Sequence, residues 1–318
     1  MTYQATPQAP IPSGFGPQTT AREVLAGRDL GGRLAIVTGG YSGVGLETTR
    51  ALAEAGATVV VPARTLEKAR ASTAGIPRVE LKELDLIDPA SIDAFAHRFL
   101  GSGRPLDILI NNAGIMAPPL LRDARGYESQ LATNHLGHFQ LTARLWPALK
   151  QAGSARVVSV SSTGIRFGGV DFDDPNFEHR EYDKWKAYGQ SKSANALFAV
   201  ALDRRGEPDG VRAFAVHPGR IMTDLARYLT DAELAIGGQF KTTEQGAATS
   251  VWCATSSQLD GKGGVFCMDC DIAEVVPEFT LEGLDQEPSG VLPWAIDPAL
   301  AERLWQLSEA MTGVTFRS

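Results

Sequence analysis

A glycine-rich turn set between an apolar run and a helical pattern restricts this chain more than any other stretch of it. Arg33-Leu-Ala-Ile-Val-Thr38 is short and rich in apolar residues, fit for a strand covered on both faces. Thr38-Gly-Gly-Tyr-Ser-Gly-Val-Gly45-Leu46 follows, with glycines at 39, 43 and 45, and a helical pattern then runs from Glu47 through Glu54 to Gly56. Ala57-Thr-Val-Val-Val61 is the next strand. A strand, a crossover helix and a second strand make a βαβ unit with a parallel sheet. Glycines at such a turn permit a tight bend and close backbone approach, and the helix N-terminus behind them receives a pyrophosphate. The spacing is G-x-x-x-G-x-G rather than G-x-G-x-x-G, and no Lys-Ser/Thr follows Gly45, which excludes a Walker loop.

The same alternation continues. Val79–Leu84 is a third strand running into Asp85-Leu86, and Asp88-Pro89 caps a helix that extends to about Leu100. Leu106–Ile110 is a fourth strand ending in Asn111-Asn-Ala-Gly114, small and polar residues where a sheet edge meets a ligand. A long helical pattern over 126–151 carries Asn134-His-Leu-Gly-His138, and a fifth strand, Arg156–Val160, delivers Ser161-Ser162-Thr163 to the same edge. A helix from Tyr188 to about Arg205, a sixth strand at Val211–Val216, the segment His217-Pro-Gly-Arg-Ile-Met-Thr223, a helix at Glu244–Ala254 and a strand at Gly264–Met268 complete the pattern. The expected architecture is α/β: a single Rossmann-fold domain whose doubly wound parallel sheet has about seven strands with helices on both faces.

Around that body, residues 1–19 read as a flexible arm, and Thr20 caps a short helix, Ala21–Ala26. The catalytic body spans 20–275, and 276–318 is a Pro-punctuated extension closing on an amphipathic helix near Pro298–Met311. Residues 164–185 form an insertion carrying Phe167, Phe172, Phe177, Tyr182 and Trp185, either a lid beside a cleft or a surface excursion with its own apolar cluster. Weak periodicity over 224–243 suits a substrate flap.

A net charge of -7 argues against nucleic acid or an anionic membrane as main partner. There is no apolar run of membrane-spanning length and no basic, hydrophobic leader, and three cysteines suit a reducing compartment. The expectation is a soluble, cytoplasmic protein. Cys267-Met-Asp-Cys270 has redox or zinc spacing without a second ligand pair and reads as two structural thiols; His135 and His138 lack a carboxylate or cysteine to complete a metal site.

Tyr188 and Lys192 stand four residues apart, one turn along one helix face. A phenol with its usual pKa of about 10 is a poor base near neutrality, and a fixed cation beside it favours the phenolate. The pair is a candidate acid/base unit. At the end of the second strand, where an NAD site places an acid about 20 residues past the glycines, the sequence reads Pro62-Ala-Arg64-Thr65. An arginine there suits a 2′-phosphate, so NADP(H) is favoured over NAD(H).

Thr38-Gly-x-x-x-Gly43-x-Gly45, Asn111-Asn-Ala-Gly114, Asn134-His-Leu-Gly-His138, Ser161-Ser162, Tyr188-x-x-x-Lys192 and His217-Pro-Gly219, in this order, resemble the short-chain dehydrogenase/reductase superfamily. The likeness is to its retinol-dehydrogenase-like and WW-domain-oxidoreductase-like branch, covers about residues 20–275, and extends to Lys241–Ser250 and Asp269-Cys270. It implies a strand order of 3-2-1-4-5-6-7. It also implies that Tyr188 is the general acid or base, that Lys192 lowers its pKa and bonds the nicotinamide ribose, that Ser162 rather than Ser161 holds the substrate oxygen, and that Asn134 bends its helix and fixes a water. Cofactor contacts implied are Gly39, Tyr41, Ser42, Gly43, Val44 and Gly45 at the pyrophosphate, Arg64 at the 2′-phosphate, and Asp85 and Leu86 at adenine. Asn112, Ala113 and Gly114 would line the ribose, and Pro218, Gly219, Ile221 and Thr223 the nicotinamide. Ser162 and Tyr188 lie twenty-six positions apart, about twice the commonest spacing in the superfamily, and the insertion accounts for the excess; this is usual in the branch named. The expected substrate is a small hydrophobic or aromatic ketone or aldehyde, or the corresponding alcohol. A double-bond reductase resembling protochlorophyllide reductase is the enzymatic alternative. A non-catalytic NADP-binding sensor would be marked by loss of Tyr188, Lys192 or Ser162, all of which are present. Homodimer, homotetramer and monomer are left open.

Overall fold

Eight strands hydrogen-bond into one sheet in the order β3-β2-β1-β4-β5-β6-β7-β8. They are β1 Leu34–Val37, β2 Thr58–Ala63, β3 Val79–Glu83, β4 Ile108–Asn111, β5 Ala155–Val160, β6 Val211–His217, β7 Val265–Met268 and β8 Asp271–Ile272. The computed structural model describes residues 3–235, 239–279 and 289–316. Residues 1–2 of the expected arm, 236–238 of the expected flap, and 280–288 and 317–318 of the expected extension lie outside them.

The first seven strands are parallel, in the order the resemblance implies. β8, two residues long, adds to the seven expected strands. It turns back antiparallel to β7, pairing Cys267 with Ile272 and Met268 with Asp271. Its turn is made by Asp269 and Cys270, at φ of 51° and 59°. Neither residue is a glycine, so the reversal carries no sequence mark of the usual kind.

Alternate residues of the central strands feed two cores, as the pleat requires. Leu34, Ile36, Leu109, Val157 and Ala213 face helices α4 (Pro89–Leu100), α6 (Gly137–Ala152), α7 (Lys184–Gly206) and α10 (Pro298–Thr312). Ala35, Val37, Ile110, Val158 and Phe214 face α1 (Ala21–Val24), α2 (Gly43–Glu54) and α9 (Thr243–Thr255). The remaining short helices are α3 (Leu66–Ser72), α5 (Ser129–Leu131) and α8 (Asp231–Leu234). Because the chain leaves β1 toward β2 on one side and returns as β4 on the other, a crevice opens at the carboxyl ends of β1 and β4.

Two helices differ from the sequence expectation where function concentrates. The helix carrying Tyr188 begins earlier, at Lys184, because Asp183 accepts from the Trp185 and Lys186 amides at 2.8 and 2.9 Å. The single helix expected over 126–151 starts only at Ser129 and passes through a π-helical turn, Ala132–Leu136, before α6. That turn contains Asn134.

The first and last described segments are bonded to the body. Gln8 donates to the carbonyls of Phe266 and Ala273, both at 2.7 Å, and accepts from the Phe266 amide at 2.8 Å, so one side-chain amide completes the ladder between β7 and β8. Tyr3 donates to buried Asp203, which also pairs with Arg212 at 2.8 Å. At the other end, Trp305 of α10 packs between Phe139 (5.2 Å between ring centroids), Phe198 (6.0 Å) and Phe316 (4.4 Å). Trp305→Ala should leave a cavity there and destabilise the fold by about 3–5 kcal/mol, read as a lowered midpoint of urea unfolding at unchanged slope.

Candidate functional site

The glycine turn is built so that only hydrogen fits at key positions. Gly39 and Gly43 sit at φ of 65° and 52°, a region side chains avoid. A Cβ on Gly45 would collide with the Gly39 carbonyl and come within 2.5 Å of Asn112 Nδ2, and one on Gly43 would come within 3.0 Å of Thr223 Cγ2. Ser42 stands at the N-cap of α2 in extended conformation but makes no capping bond from its side chain. The first-turn amides of α2 are therefore open toward the crevice, flanked by Tyr41 and Val44, a cradle that fits a pyrophosphate. Val44 and Ile221 both pack on Gly246.

Arg64 follows directly on β2 and is exposed, with no ion pair among the described residues. Asp85 and Leu86 follow β3 on the same edge; Asp85 Oδ1 accepts from the Ile87 amide at 3.2 Å. The Leu86 carbonyl lies against Gly137, where a Cβ would collide with it. On the opposite side of the crevice, Gly219 at φ 93° leaves room for the Lys241 stem, and Lys241 pairs with Asp269. Pro218, Ile221 and Thr223 continue this wall, and the Thr223 side chain accepts from the Leu225 amide.

Between these walls the Thr38 hydroxyl is a hub. It accepts from the amides of Asn112 at 2.9 Å and Ala113 at 3.0 Å and lies 2.9 Å from His138 Nε2, while Asn112 Nδ2 donates to the Thr38 carbonyl at 2.9 Å. His138 Nδ1 lies 2.8 Å from the Asn134 carbonyl, which can only accept, so Nδ1 carries the proton and Nε2 accepts from Thr38. Burial pushes His138 down to about 4, keeping the ring neutral in this role. His135, three residues earlier, faces the other way to Ser308 at 2.7 Å and is held down to about 3 by burial. The two histidines thus serve separate contacts.

Four polar side chains converge on two glycines. A Cβ at Gly164 would meet the Tyr188 ring at 2.7 Å and Ser162 Oγ at 3.2 Å; one at Gly114 would meet Asn134 Oδ1 at 3.1 Å and Lys192 Nζ at 3.6 Å. Asn134 accepts from the Ile115 amide at 2.8 Å and donates to the Ile115 carbonyl at 3.0 Å and to Ser191 Oγ at 2.9 Å. Both its amide hydrogens are spent clamping the loop after β4 onto α7. Lys192 donates to the Val160 carbonyl at 3.0 Å, and Ser161 donates to the Lys192 carbonyl at 2.7 Å, so Ser161 faces the helix backbone while Ser162 faces Tyr188.

The electrostatics differ from the expectation that Lys192 lowers the Tyr188 pKa. Burial dominates and pushes the phenol up to about 12; the opposing pulls come from a hydrogen bond with Ser162 and from the Arg166 cation. Lys192 itself is forced down to about 8 by burial, with its Nζ 5.7 Å from the Tyr188 ring centroid. Arg166, Thr38 and His138 are site residues to which the sequence assigns no role. For Gly164 a signal existed, since a glycine two residues past a serine at a strand end leaves room for a ring.

A cavity of about 360 Å³ opens beside this cluster, lined by Ala117, Pro118, Pro119, Tyr182, Lys184 and Tyr228. Its walls come from the loop after β4, the expected insertion and the expected flap. Within the insertion, Phe167 and Trp185 pack at 5.0 Å between centroids and Phe177 and Tyr182 at 5.2 Å, and the Tyr182 hydroxyl donates to the Pro118 carbonyl at 3.0 Å. Of the insertion's aromatics Tyr182 lines the cavity, while Phe177 packs on it and Phe167 packs on Trp185. All three cysteines are reduced and buried, and burial raises the Cys270 thiol to about 12, which suits packing rather than redox exchange. Among the described residues no helix is long and apolar enough to cross a membrane.

The family model of short chain dehydrogenases matches residues 33–234. A curated Streptomyces lividans protein described as a probable oxidoreductase is 46% identical over 296 residues, covering 87% of this chain and 97% of its own. Retinol dehydrogenase 12 of Homo sapiens is 37% identical over 294 residues, covering 90% of this chain and 88% of its own. Among solved structures, an active-site complex of Pseudomonas aeruginosa RhlG with NADP superposes with a TM-score of 0.62 at 25% identity, covering 76% of this chain and 95% of that one. The chain belongs to the short-chain dehydrogenases, in their retinol-dehydrogenase-like branch.

Proposed function

We propose that this oxidoreductase uses NADP(H) to interconvert a hydrophobic or aromatic ketone or aldehyde with its alcohol. The observation that supports it most is the convergence of Ser162 and Tyr188 on Gly164 and of Asn134 and Lys192 on Gly114, beside an uncapped helix N-terminus. The nicotinamide, when bound, supplies or accepts the hydride. The chain's own residues hold the substrate and move its proton. In the reducing direction Tyr188, kept protonated by burial, donates its phenolic proton to the carbonyl oxygen, and the Ser162 hydroxyl holds that oxygen in place. In the oxidising direction the phenolate accepts the alcohol's proton, and the Ser162 hydrogen bond and the Arg166 cation favour that form against burial. Asn134 serves as a structural clamp that sets the Ile115 loop and α7 at one distance.

Gly39, Tyr41, Ser42, Gly43, Val44 and Gly45 would cradle the pyrophosphate, and Asp85 and Leu86 the adenine. Asn112, Ala113 and Gly114 would border the ribose, with Lys192 bonding it, and Pro218, Gly219, Ile221 and Thr223 the nicotinamide. The exposed Arg64, without an ion pair among the described residues, supports a 2′-phosphate partner and hence NADP(H); RhlG, a structural relative, was solved with NADP. Prolines and tyrosines line the cavity, and its Lys184 is paired with Glu233, which supports an uncharged, apolar substrate.

Tyr188→Phe should retain NADPH binding by fluorescence titration while turnover falls by about 10²–10⁴; full activity would reject the mechanism. Arg64→Ala should lower the ratio of kcat/KM for NADPH over NADH by about tenfold or more, the scale of one charged hydrogen bond lost, and an unchanged ratio would reject the assigned role. Burial holds Lys192 at about 8 against 10.5 for a free lysine, so between these values the unfolded chain binds more protons than the folded one. Stability contributed by this residue therefore rises with pH through that window. Lys192→Met removes the dependence, and its stability relative to wild type should be greater at pH 7 than at pH 10 by on the order of 2 kcal/mol. Urea unfolding at the two values measures it, and equal differences would contradict the buried-cation account.

A further inference from the structure

Glu233, in the short helix α8 of the expected flap, divides its carboxylate between two tasks. Oε2 accepts from the Thr230 amide and hydroxyl, both at 2.9 Å, and so caps its own helix. Oε1 reaches across to α7, where it pairs with Lys184 Nζ at 2.7 Å and accepts from the Trp185 indole Nε1 at 2.9 Å. The Lys184 contact above all, then the Thr230 amide, with smaller pulls from Trp185 and the Thr230 hydroxyl, hold Glu233 down to about 2, so it is ionised under all ordinary conditions.

The residues it grips bear on the site. Trp185 lies in the first turn of α7, three positions before Tyr188; its ring meets Tyr188 edge-on at 6.3 Å between centroids and packs on Phe167 at 5.0 Å. Lys184 lines the 360 Å³ cavity from α7, and Tyr228 lines it from the flap. The Glu233–Lys184 pair therefore ties the α7 wall of that cavity to the flap that supplies Tyr228. At its base the flap is held by backbone, the Lys241 amide donating to the Arg220 carbonyl at 2.8 Å. The two-pronged Glu233 contact is what ties the flap to α7; Arg220 also donates to the Leu234 carbonyl, and Asp224 pairs with Lys68 at 3.7 Å.

We infer that Glu233 is a positioning residue that latches the flap to α7 through Lys184 and Trp185 and so holds the two walls of the substrate cavity together. The inference rests on the reading of Tyr188 and the cavity as the reaction site. Its consequence is kinetic. Weakening the latch loosens substrate and raises KM, while the chemical step, set by groups on α7 and β5, keeps its kcat.

Glu233→Gln keeps the helix cap, since glutamine serves at that capping position, and removes the charge that holds Lys184. Lys184→Met removes the same pair from the other side. In the full-length protein without ligand, each variant should raise the rate of trypsin cleavage after exposed Arg227 about fivefold, the scale of one partly exposed charged contact. Each should also raise KM for a reducible ketone about fivefold with kcat within twofold. The double variant should match the worse single one, because both changes cut one tether. Unchanged cleavage and KM in the single variants, or effects that multiply in the double one, would overturn the latch. Tyr188→Phe in parallel separates the two readings. If it turns over normally, the reaction assignment falls, whereas the cleavage rates still decide whether Glu233 holds the flap.

Discussion

One buried hydroxyl holds the working edge of this sheet together. Thr38 closes β1 and takes the Asn112 and Ala113 amides that follow β4, while giving its own proton to His138 on α6. Thr38 and His138 are buried, and a polar group there would cost about 1–3 kcal/mol if left unpaired. His138 in turn satisfies the Asn134 carbonyl within the π-helical turn, and the Asn134 amide spans from the loop to α7. Two strands and two helices are thus registered to one another through neutral, fully paired groups. Such a network tolerates no half-measures in low dielectric.

The pair at the centre is governed by desolvation more than by mutual attraction. Tyr188 and Lys192 are each pushed by burial toward their uncharged forms. A site that holds a phenol protonated and a lysine ready to lose its charge keeps its proton until something else arrives to change the balance. The cation that acts on Tyr188 in the structure is Arg166, at the start of the insertion. The segment that shapes the pocket therefore also contributes to the acidity of the group within it.

Much of this was legible from residues alone. Apolar runs such as Leu34–Val37 and Val157–Val160 announce strands covered on both faces, and the glycines at 39, 43 and 45 announce a turn against a helix end. Those features are local, and periodicity and turn chemistry report on local structure. What escaped is non-local. The β7–β8 reversal uses Asp269 and Cys270 in a conformation that ordinarily calls for glycine. The π-helical turn has the composition of an ordinary helix and is explained by the bonds Asn134 and His138 make across the fold. The balance of charge around Tyr188 depends on Arg166, which spacing along a helix does not connect to it.

The amide of Gln8 has a meaning for how the chain assembles. It joins the sheet to a residue 258 positions further along, so a segment made early is bonded to a strand pair made much later. Long-range pairings of this kind cannot form until nearly everything between them exists. During synthesis the Gln8 segment must therefore wait unpaired until β7 and β8 exist, and its docking marks the completion of that strand pair. The arm behaves as a closing stitch, and the seventh and eighth strands stay unsealed at one point until it is drawn tight.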